Sequence, residues 1–229
     1  MTKNLTKRII TSFFLLLIFF IVNYSNSLIF ILTILTVGTI ICVEANNLYS
    51  KIFTSYYLKQ KTFSKKFNFN FLILNIITFF YVFFVFCYYS YKIHEIEGPT
   101  FFLYVICICF FTDIGGYVFG KTFGGKKLTR ISPNKTISGS IGSFIFAILT
   151  LIIFINLEYL NIQLNQNNII YCFFVSLISQ IGDLFISYLK RKAKIKDTGK
   201  ILPGHGGVLD RLDGIIFAVP FSYLILKLI

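Results

Sequence analysis

Ser187–Asp213 reads SYLKRKAKIKDTGKILPGHGGVLDRLD, and the runs on either side of it, about 168–189 and 214–229, are almost uninterruptedly apolar. Seven Lys or Arg fall inside the stretch (Lys190, Arg191, Lys192, Lys194, Lys196, Lys200, Arg211), together with Asp197, Asp210, Asp213 and His205. Gly199, Gly204, Gly206, Gly207 and Pro203 forbid one continuous helix across its middle. The flanking runs are about long enough to cross a bilayer, which needs roughly 20 apolar residues. The stretch is therefore a polar loop with both ends fixed by membrane helices, and it is where chemistry is expected.

Five further apolar runs lie upstream, at about 9–24, 27–43, 69–91, 100–119 and 139–157. The chain is 56% hydrophobic and only 14% charged, against roughly 25% charged residues in soluble domains. The expected fold is an all-α integral membrane protein, a polytopic helical bundle of about seven transmembrane helices with catalytic cytoplasmic loops. Residues 1–99 would carry three N-terminal spans and residues 100–229 the catalytic transmembrane domain. The first two runs meet at VNYSNS, which predicts a tight hairpin. Lys3, Lys7 and Arg8 precede the first run, but no small-x-small site follows it, so it is read as an uncleaved span.

A net charge of +13 invites a nucleic-acid reading, and the placement of the charges argues against it. All Lys and Arg except Lys92 and Lys227 fall at the N-terminus or in the 44–68, 120–138 and 187–213 loops. Such alternation is a topology signal. It places the N-terminus and the three basic loops in the cytoplasm, in a multi-pass protein of the cell inner (plasma) membrane, with no nucleic-acid partner. The 92–99 and 156–168 segments are read as plain outer turns, His94 as a solvated loop residue and Glu44 as an interfacial or helix-capping charge. All five cysteines lie within apolar runs without a CxxC, so zinc-site spacing is missing and they are read as core residues.

A second polar cluster begins at Asp113, near the end of the fourth run, where a carboxylate is costly unless it faces a cavity or a partner. Gly115–Thr122 then formally satisfies the P-loop pattern, which carries meaning only after a strand in an α/β sheet. Here a membrane run precedes it and no βαβ alternation exists, so it is a decoy. Ser132, Lys135 and Thr136 follow in RISPNKTISG, readable either as a basic turn capping the fifth run or as a phosphate cradle. Asp183 lies deep in the sixth run. Asp113, Asp183, Asp210 and Asp213 all map to the inner ends of spans beside basic, glycine-rich loops, an arrangement that suits Mg²⁺ bound with phosphates. Asp210 and Asp213 are three apart, which on one helix gives them a shared face.

Ser187-x-x-Lys190-Arg191, Lys196-Asp197-x-Gly199 and Leu202-Pro203-x-His205-Gly206-Gly207-x-x-Asp210-Arg211-x-Asp213 together resemble the signature of the phosphatidate cytidylyltransferase (CDP-diacylglycerol synthase) family. Asp113-x-x-Gly116-Tyr117, Gly120-Lys121, Ser132-Pro133-x-Lys135-Thr136 and Gly182-Asp183-Leu184 extend the resemblance over residues 100–229. Ser138 departs from it, standing where the family's SPxKTxEG stretch has Glu. The resemblance implies a nucleotidyltransferase of phospholipid biosynthesis that makes CDP-diacylglycerol and diphosphate from CTP and phosphatidate. A CTP-dependent polyprenol or lipid kinase is the alternative. It further implies Asp183 and Asp210 as Mg²⁺ ligands, with Asp113, Asp213, Lys190 and Arg191 catalytic. Ser132, Lys135, Thr136, Lys196, Asp197, Gly204, His205, Gly206, Gly207 and Arg211 would bind substrate. Membrane lipids are expected partners, and a second, monovalent cation and a homodimer are left open.

Overall fold

The computed structural model describes residues 2–60, 65–129, 132, 135–158 and 162–228, with side chains described for 8–54 and from 69 onward. The described elements are α-helices: α1 (Thr2–Asn23), α2 (Ser27–Gln60), α3 (Lys65–Phe80), α4 (Tyr88–Lys92), α5 (Pro99–Thr122), α6 (Ile137–Asn156), α7 (Gln166–Lys192), α8 (Leu209–Leu212) and α9 (Ile215–Leu228). Two π-helical turns, Tyr81–Cys87 and Ile93–Glu97, join α3 through α4 into one rod. Among the described residues extended pairing is confined to two isolated bridges, Lys127 with Thr136 and Leu202 with Gly206. The glycine–lysine run at Gly115–Thr122 is helical throughout, which removes the strand a P-loop requires.

Five helical segments among the described residues are long and apolar enough to cross a membrane: Ser27–Thr54, Phe69–Glu97, Pro99–Thr122, Ile137–Asn156 and Gln166–Lys192. The all-α polytopic membrane fold stands on these. The first and last of the seven expected runs are shorter: Arg8–Asn23 is a short apolar helix, and α9 has 14 residues, about 21 Å at 1.5 Å per residue. Apolar side chains point outward along the long helices, as on α6, where Ile141, Ile145, Leu149 and Ile152 are all exposed at helical spacing.

Two expectations are corrected. The 44–68 segment is not mainly a loop, because α2 continues through Gln60. The apolar run ends near residue 43, but no Gly or Pro interrupts the backbone from Glu44 to Gln60. Nor is 92–99 a plain turn. The rod runs to Glu97, and Gly98, at φ 91°, breaks it immediately before Pro99 opens α5. His94 is accordingly a helical residue, buried with its ring beside Phe102 of α5 rather than solvated. The expected hairpin between the first two runs is present as a turn at residues 24–26.

The chain forms two compact units that do not follow chain order. The first comprises Met1–Tyr91 with Leu189–Leu212, and the second Lys92–Tyr188 with Asp213–Ile229. In the second unit α5 and α6 pack backbone to backbone. A Cβ added at Gly115 would lie 2.4 Å from the Gly142 carbonyl oxygen, and one at Gly142 would lie 2.4 Å from Phe119 Cβ. Small residues allow such approach where lipid gives helices no hydrophobic reason to associate. Ser143 Oγ donates to the Thr112 carbonyl at 2.8 Å, and Thr112 Oγ1 to Ser176 Oγ at 2.9 Å, tying α6 and α7 to α5. A Gly142→Val substitution should force α5 and α6 apart and cost about 3 kcal/mol or more. The lipid-facing Ile141→Ala should cost far less. Thermal denaturation in detergent compares the two, and equal losses would refute the glycine-mediated contact.

Candidate active site

In the first unit, the 189–212 segment is held by carboxylates. α7 ends in Lys190-Arg191-Lys192, and Lys190 Nζ meets Asp210 Oδ1 at 3.0 Å, with only 14% and 5% of the two side chains exposed. The other oxygen, Asp210 Oδ2, accepts the Thr198 N–H at 2.7 Å, the Gly207 N–H at 2.9 Å and the Thr198 hydroxyl at 3.1 Å. Burial by itself raises the Asp210 carboxyl. The Gly207 and Thr198 N–H groups and then Lys190 outweigh it and hold Asp210 below its ordinary value.

Between these anchors the backbone makes a hairpin-like turn. Leu202 N–H donates to the Gly206 carbonyl at 2.9 Å, and Gly204 and Gly206 take φ of 78° and 88°, which glycine adopts without strain. His205 is fixed from α1: its Nδ1 lies 2.7 Å from Thr11 Oγ1 and its Nε2 3.1 Å from Ser12 Oγ. Arg8 Nε donates to the Gly204 carbonyl at 2.9 Å. Arg211 donates through Nε and Nη2 to the His205 carbonyl, at 3.1 and 2.7 Å. A cavity of about 470 Å³ opens at this turn, lined by Arg8, Lys196, Lys200, Arg211, His205 and Asp197 among others. Four cationic side chains against one carboxylate give it an electrostatic balance that suits an anion.

The second unit carries another lysine–carboxylate pair. Lys135 Nζ forms an ion pair with Asp183 Oδ2, and Ser187 Oγ donates to Asp183 Oδ1 at 3.2 Å, one helical turn along α7. Asp113 lies within electrostatic reach of both Asp183 and Lys135. α7 also packs closely on the start of α9: a Cβ at Gly182 would lie 2.9 Å from the Asp213 carbonyl oxygen, and one at Gly214 2.5 Å from Ser179 Oγ. Asp213 Oδ1 accepts the Gly214 N–H at 3.0 Å. The shared helical face expected for Asp210 and Asp213 is not realised. α8 is a single turn, Asp213 and Gly214 form a turn of their own, and α9 starts afresh.

A cytidylyltransferase-family sequence profile matches residues 46–229. The chain belongs to the cytidylyltransferase family. Similar proteins include phosphatidate cytidylyltransferases of Bacillus subtilis (strain 168), 42% identical over 57% of this chain and 49% of the relative, and of Rickettsia bellii (strain RML369-C), 48% identical over 52% and 54%. That of Staphylococcus aureus (strain COL) is 42% identical over 57% and 50%. The chain spans about half the length of the curated relatives it matches.

As a cytidylyltransferase-family chain it distributes its sequence-predicted residues unevenly. Lys190, Lys196, Asp197, Gly204, His205, Gly206, Gly207, Asp210 and Arg211 gather in the first unit, with Arg191 exposed on the last turn of α7. Asp113, Lys135 and Asp183 gather in the second. Thr136 caps α6, accepting the Gly139 N–H at 3.1 Å, and Ser132 lies in the turn before it, its carbonyl accepting the Lys135 N–H. Arg130, Ile131, Pro133 and Asn134 lie outside the described residues. Ser138 donates its one hydroxyl proton to the Gly124 carbonyl, so across their 3.0 Å contact Thr136 is the donor. An ionised carboxylate at position 138 would have no such proton, so closing this loop onto the Gly124 carbonyl requires a donor there.

Glu44, Thr198, Arg8, Thr11 and Ser12 contribute contacts that motif reading did not assign. Glu44 is 2% exposed, yet it accepts the Val208 N–H at 3.1 Å, the Leu209 N–H at 2.9 Å and the Thr198 hydroxyl at 3.0 Å. One signal was available, since Glu44 is the sole acidic residue among the first 94 and follows an apolar run.

No group of three or more His, Cys, Asp or Glu poised for a metal occurs among the described residues. The donors present still fit Mg²⁺, which usually takes one or two carboxylates and completes its shell with phosphate and water. Asp183 beside Asp113 offers hard oxygens, and Asp210 has Oδ1 directed away from the loop that occupies Oδ2.

Because Asp210 is held below the ordinary value of about 3.9, its contribution to stability is complete above that value and is lost as pH falls through the lower, folded-state value. Wild-type protein in detergent should lose thermal stability as pH falls below about 4, and Asp210→Asn should flatten that part of the profile. An unchanged slope would show that Asp210 is not responsible.

Proposed function

We propose that the chain transfers a cytidylyl group from CTP to phosphatidate, giving CDP-diacylglycerol and diphosphate. The observation that carries this reading is the pair of lysine–carboxylate contacts, Lys135–Asp183 and Lys190–Asp210, together with the cationic cavity at the Gly204–Gly206 turn. Two anionic reactants require positive charge to meet and hard oxygen donors to hold a divalent cation, and these residues supply both. The curated relatives named phosphatidate cytidylyltransferase support the choice of lipid and nucleotide.

An oxygen of the lipid phosphate attacks the α-phosphorus of CTP, forming a P–O bond as the bond to the bridging oxygen breaks and diphosphate leaves. The attacking group needs no general base, since a phosphate monoester with a second pKa of about 6 is largely ionised at neutral pH. Lys196, Lys200 and Arg211 line the cavity and neutralise triphosphate or lipid phosphate oxygens, while Lys135, Lys190 and Arg191 offset charge in the transition state. Ser132 and Thr136 border Lys135 in the proposed phosphate cradle, and His205 with Gly204, Gly206 and Gly207 shapes the cavity wall. Asp183, with Asp113 and Asp213 in the same unit, and Asp210 in the other would each offer carboxylate oxygens to Mg²⁺. The ion, when bound, offsets the charge gathering on the leaving diphosphate. On this reading the N-terminus and these loops face the cytoplasm at the plasma membrane, where CTP is available, an orientation that the bias of Lys and Arg supports.

Membranes containing the protein, given labelled CTP, phosphatidate and Mg²⁺, should release diphosphate and form a lipid-soluble cytidine product, both abolished by chelator. Asp183→Asn and Lys190→Met should each lower kcat/KM by 100-fold or more without loss of membrane insertion. Release of CDP with a phosphorylated lipid would instead establish the lipid-kinase alternative, and CTP turnover that survives Asp183→Asn would remove the metal assignment.

A further inference from the structure

Glu44 lies on α2, outside the 46–229 span matched by the family profile and more than 150 residues before the segment it touches. Its carboxylate accepts the backbone N–H groups of Val208 and Leu209, the entry to the single turn α8 that carries Asp210 and Arg211. A Cβ added at Gly199 would lie 2.3 Å from Glu44 Oε1, and one at Gly207 2.4 Å from Glu44 Oε2. The carboxylate is therefore wedged between two glycines of the signature, and any side chain there would expel it. Thr198 completes the arrangement. Its single hydroxyl proton is within reach of both Glu44 Oε2, at 3.0 Å, and Asp210 Oδ2, at 3.1 Å, while its N–H is committed to Asp210.

We infer that Glu44 is a positioning residue for the 198–210 loop, acting through Thr198 and the α8 entry to fix the orientation of Asp210. This extends the cytidylyltransferase reading and rests on it for its catalytic consequence. The physical case is that Asp210 alone does not define its own direction. Gly207 N–H and Thr198 N–H hold Oδ2, but both belong to a segment without regular structure, and Glu44 holds that segment through the Thr198 hydroxyl and through Val208 and Leu209 N–H, next to Gly207. With Oδ2 fixed, Oδ1 is the oxygen left facing Lys190 and whatever ligand arrives there. An isosteric amide at position 44 must turn an N–H₂ toward a backbone N–H or toward the threonine hydroxyl, replacing an acceptor by a donor where donors already converge.

The test uses the full chain in detergent–lipid micelles. Glu44→Gln should insert and elute as wild type, be cut by trypsin at Lys196 and Lys200 at least tenfold faster, and be cut at Lys126 and Lys127 at an unchanged rate. With CTP, phosphatidate and Mg²⁺ its kcat should fall tenfold or more while KM for CTP stays within about threefold. Thr198→Val should lower kcat less, and the double variant should lose no more than Glu44→Gln alone, as expected for residues acting through one contact. Should Glu44→Gln fail to insert, Thr198→Val carries the same cleavage and kcat comparison. Wild-type cleavage and kcat in Glu44→Gln overturn the inference, and so does faster cleavage with unchanged kcat, which leaves Glu44 merely structural. If wild type turns over no CTP, the activity reading fails, and the cleavage rates alone decide whether Glu44 holds the loop.

Discussion

The 193–208 segment has no regular secondary structure, so its polar backbone groups must find their partners one by one rather than in a helix or sheet ladder. Turn bonds such as Leu202 N–H to the Gly206 carbonyl meet part of that need, and two carboxylates meet it at the end nearest α8. Asp210 and Glu44 between them accept four backbone N–H groups, of Thr198, Gly207, Val208 and Leu209, and share the Thr198 hydroxyl. Hydrogen bonds to charged groups contribute roughly 1.5–3 kcal/mol each, about twice the neutral kind. The glycines at 199 and 207 follow from this constraint, since each leaves room for a carboxylate rather than for a turn.

The same constraint separates what could be read in the sequence from what could not. Asp113, Lys135, Asp183, Lys190 and Asp210 stood out because charge is improbable beside apolar runs, and the structure joins four of them into two lysine–carboxylate pairs, with Asp113 within electrostatic reach of the Lys135–Asp183 pair. Span positions were legible for the same reason, from Ser27–Thr54 through Gln166–Lys192. Helix ends were not. Hydropathy marks where lipid contact stops, whereas a helix continues until a breaker such as Gly98-Pro99 ends it, so α2 and the rod through Glu97 outran their apolar cores. The role of Glu44 was hidden by distance. A carboxylate that caps a helix four residues away announces itself by spacing, but one that caps α8 from α2 leaves no periodic trace.

Glycines proved ambiguous in an instructive way. Gly115 and Gly120, which imitate a P-loop, lie on a continuous helix where Gly115 admits the Gly142 carbonyl and Gly120 approaches Thr136 Oγ1. Gly204 and Gly206 are needed for positive φ, and Gly199 and Gly207 for a neighbouring side chain. Three distinct physical demands thus produce one residue type, and only the surrounding backbone tells them apart.

Both lysine–carboxylate pairs also bear on how an anionic substrate is received. A partly buried ion pair gains little net stability over an apolar pair, while removing one partner strands the other at a cost of several kcal/mol. At rest, Lys135 and Lys190 therefore keep Asp183 and Asp210 from standing as uncompensated charges. On the proposed reading, a phosphate that draws a lysine away leaves a carboxylate that only a cation can compensate. Nucleotide and metal would then bind better together than either does alone. In the first unit this exchange involves Asp210 Oδ1, because Oδ2 remains committed to Thr198 and Gly207 and the segment carrying them is tied to Glu44. The protein can thus release one oxygen of a carboxylate to its ligands without loosening the loop that the other oxygen holds.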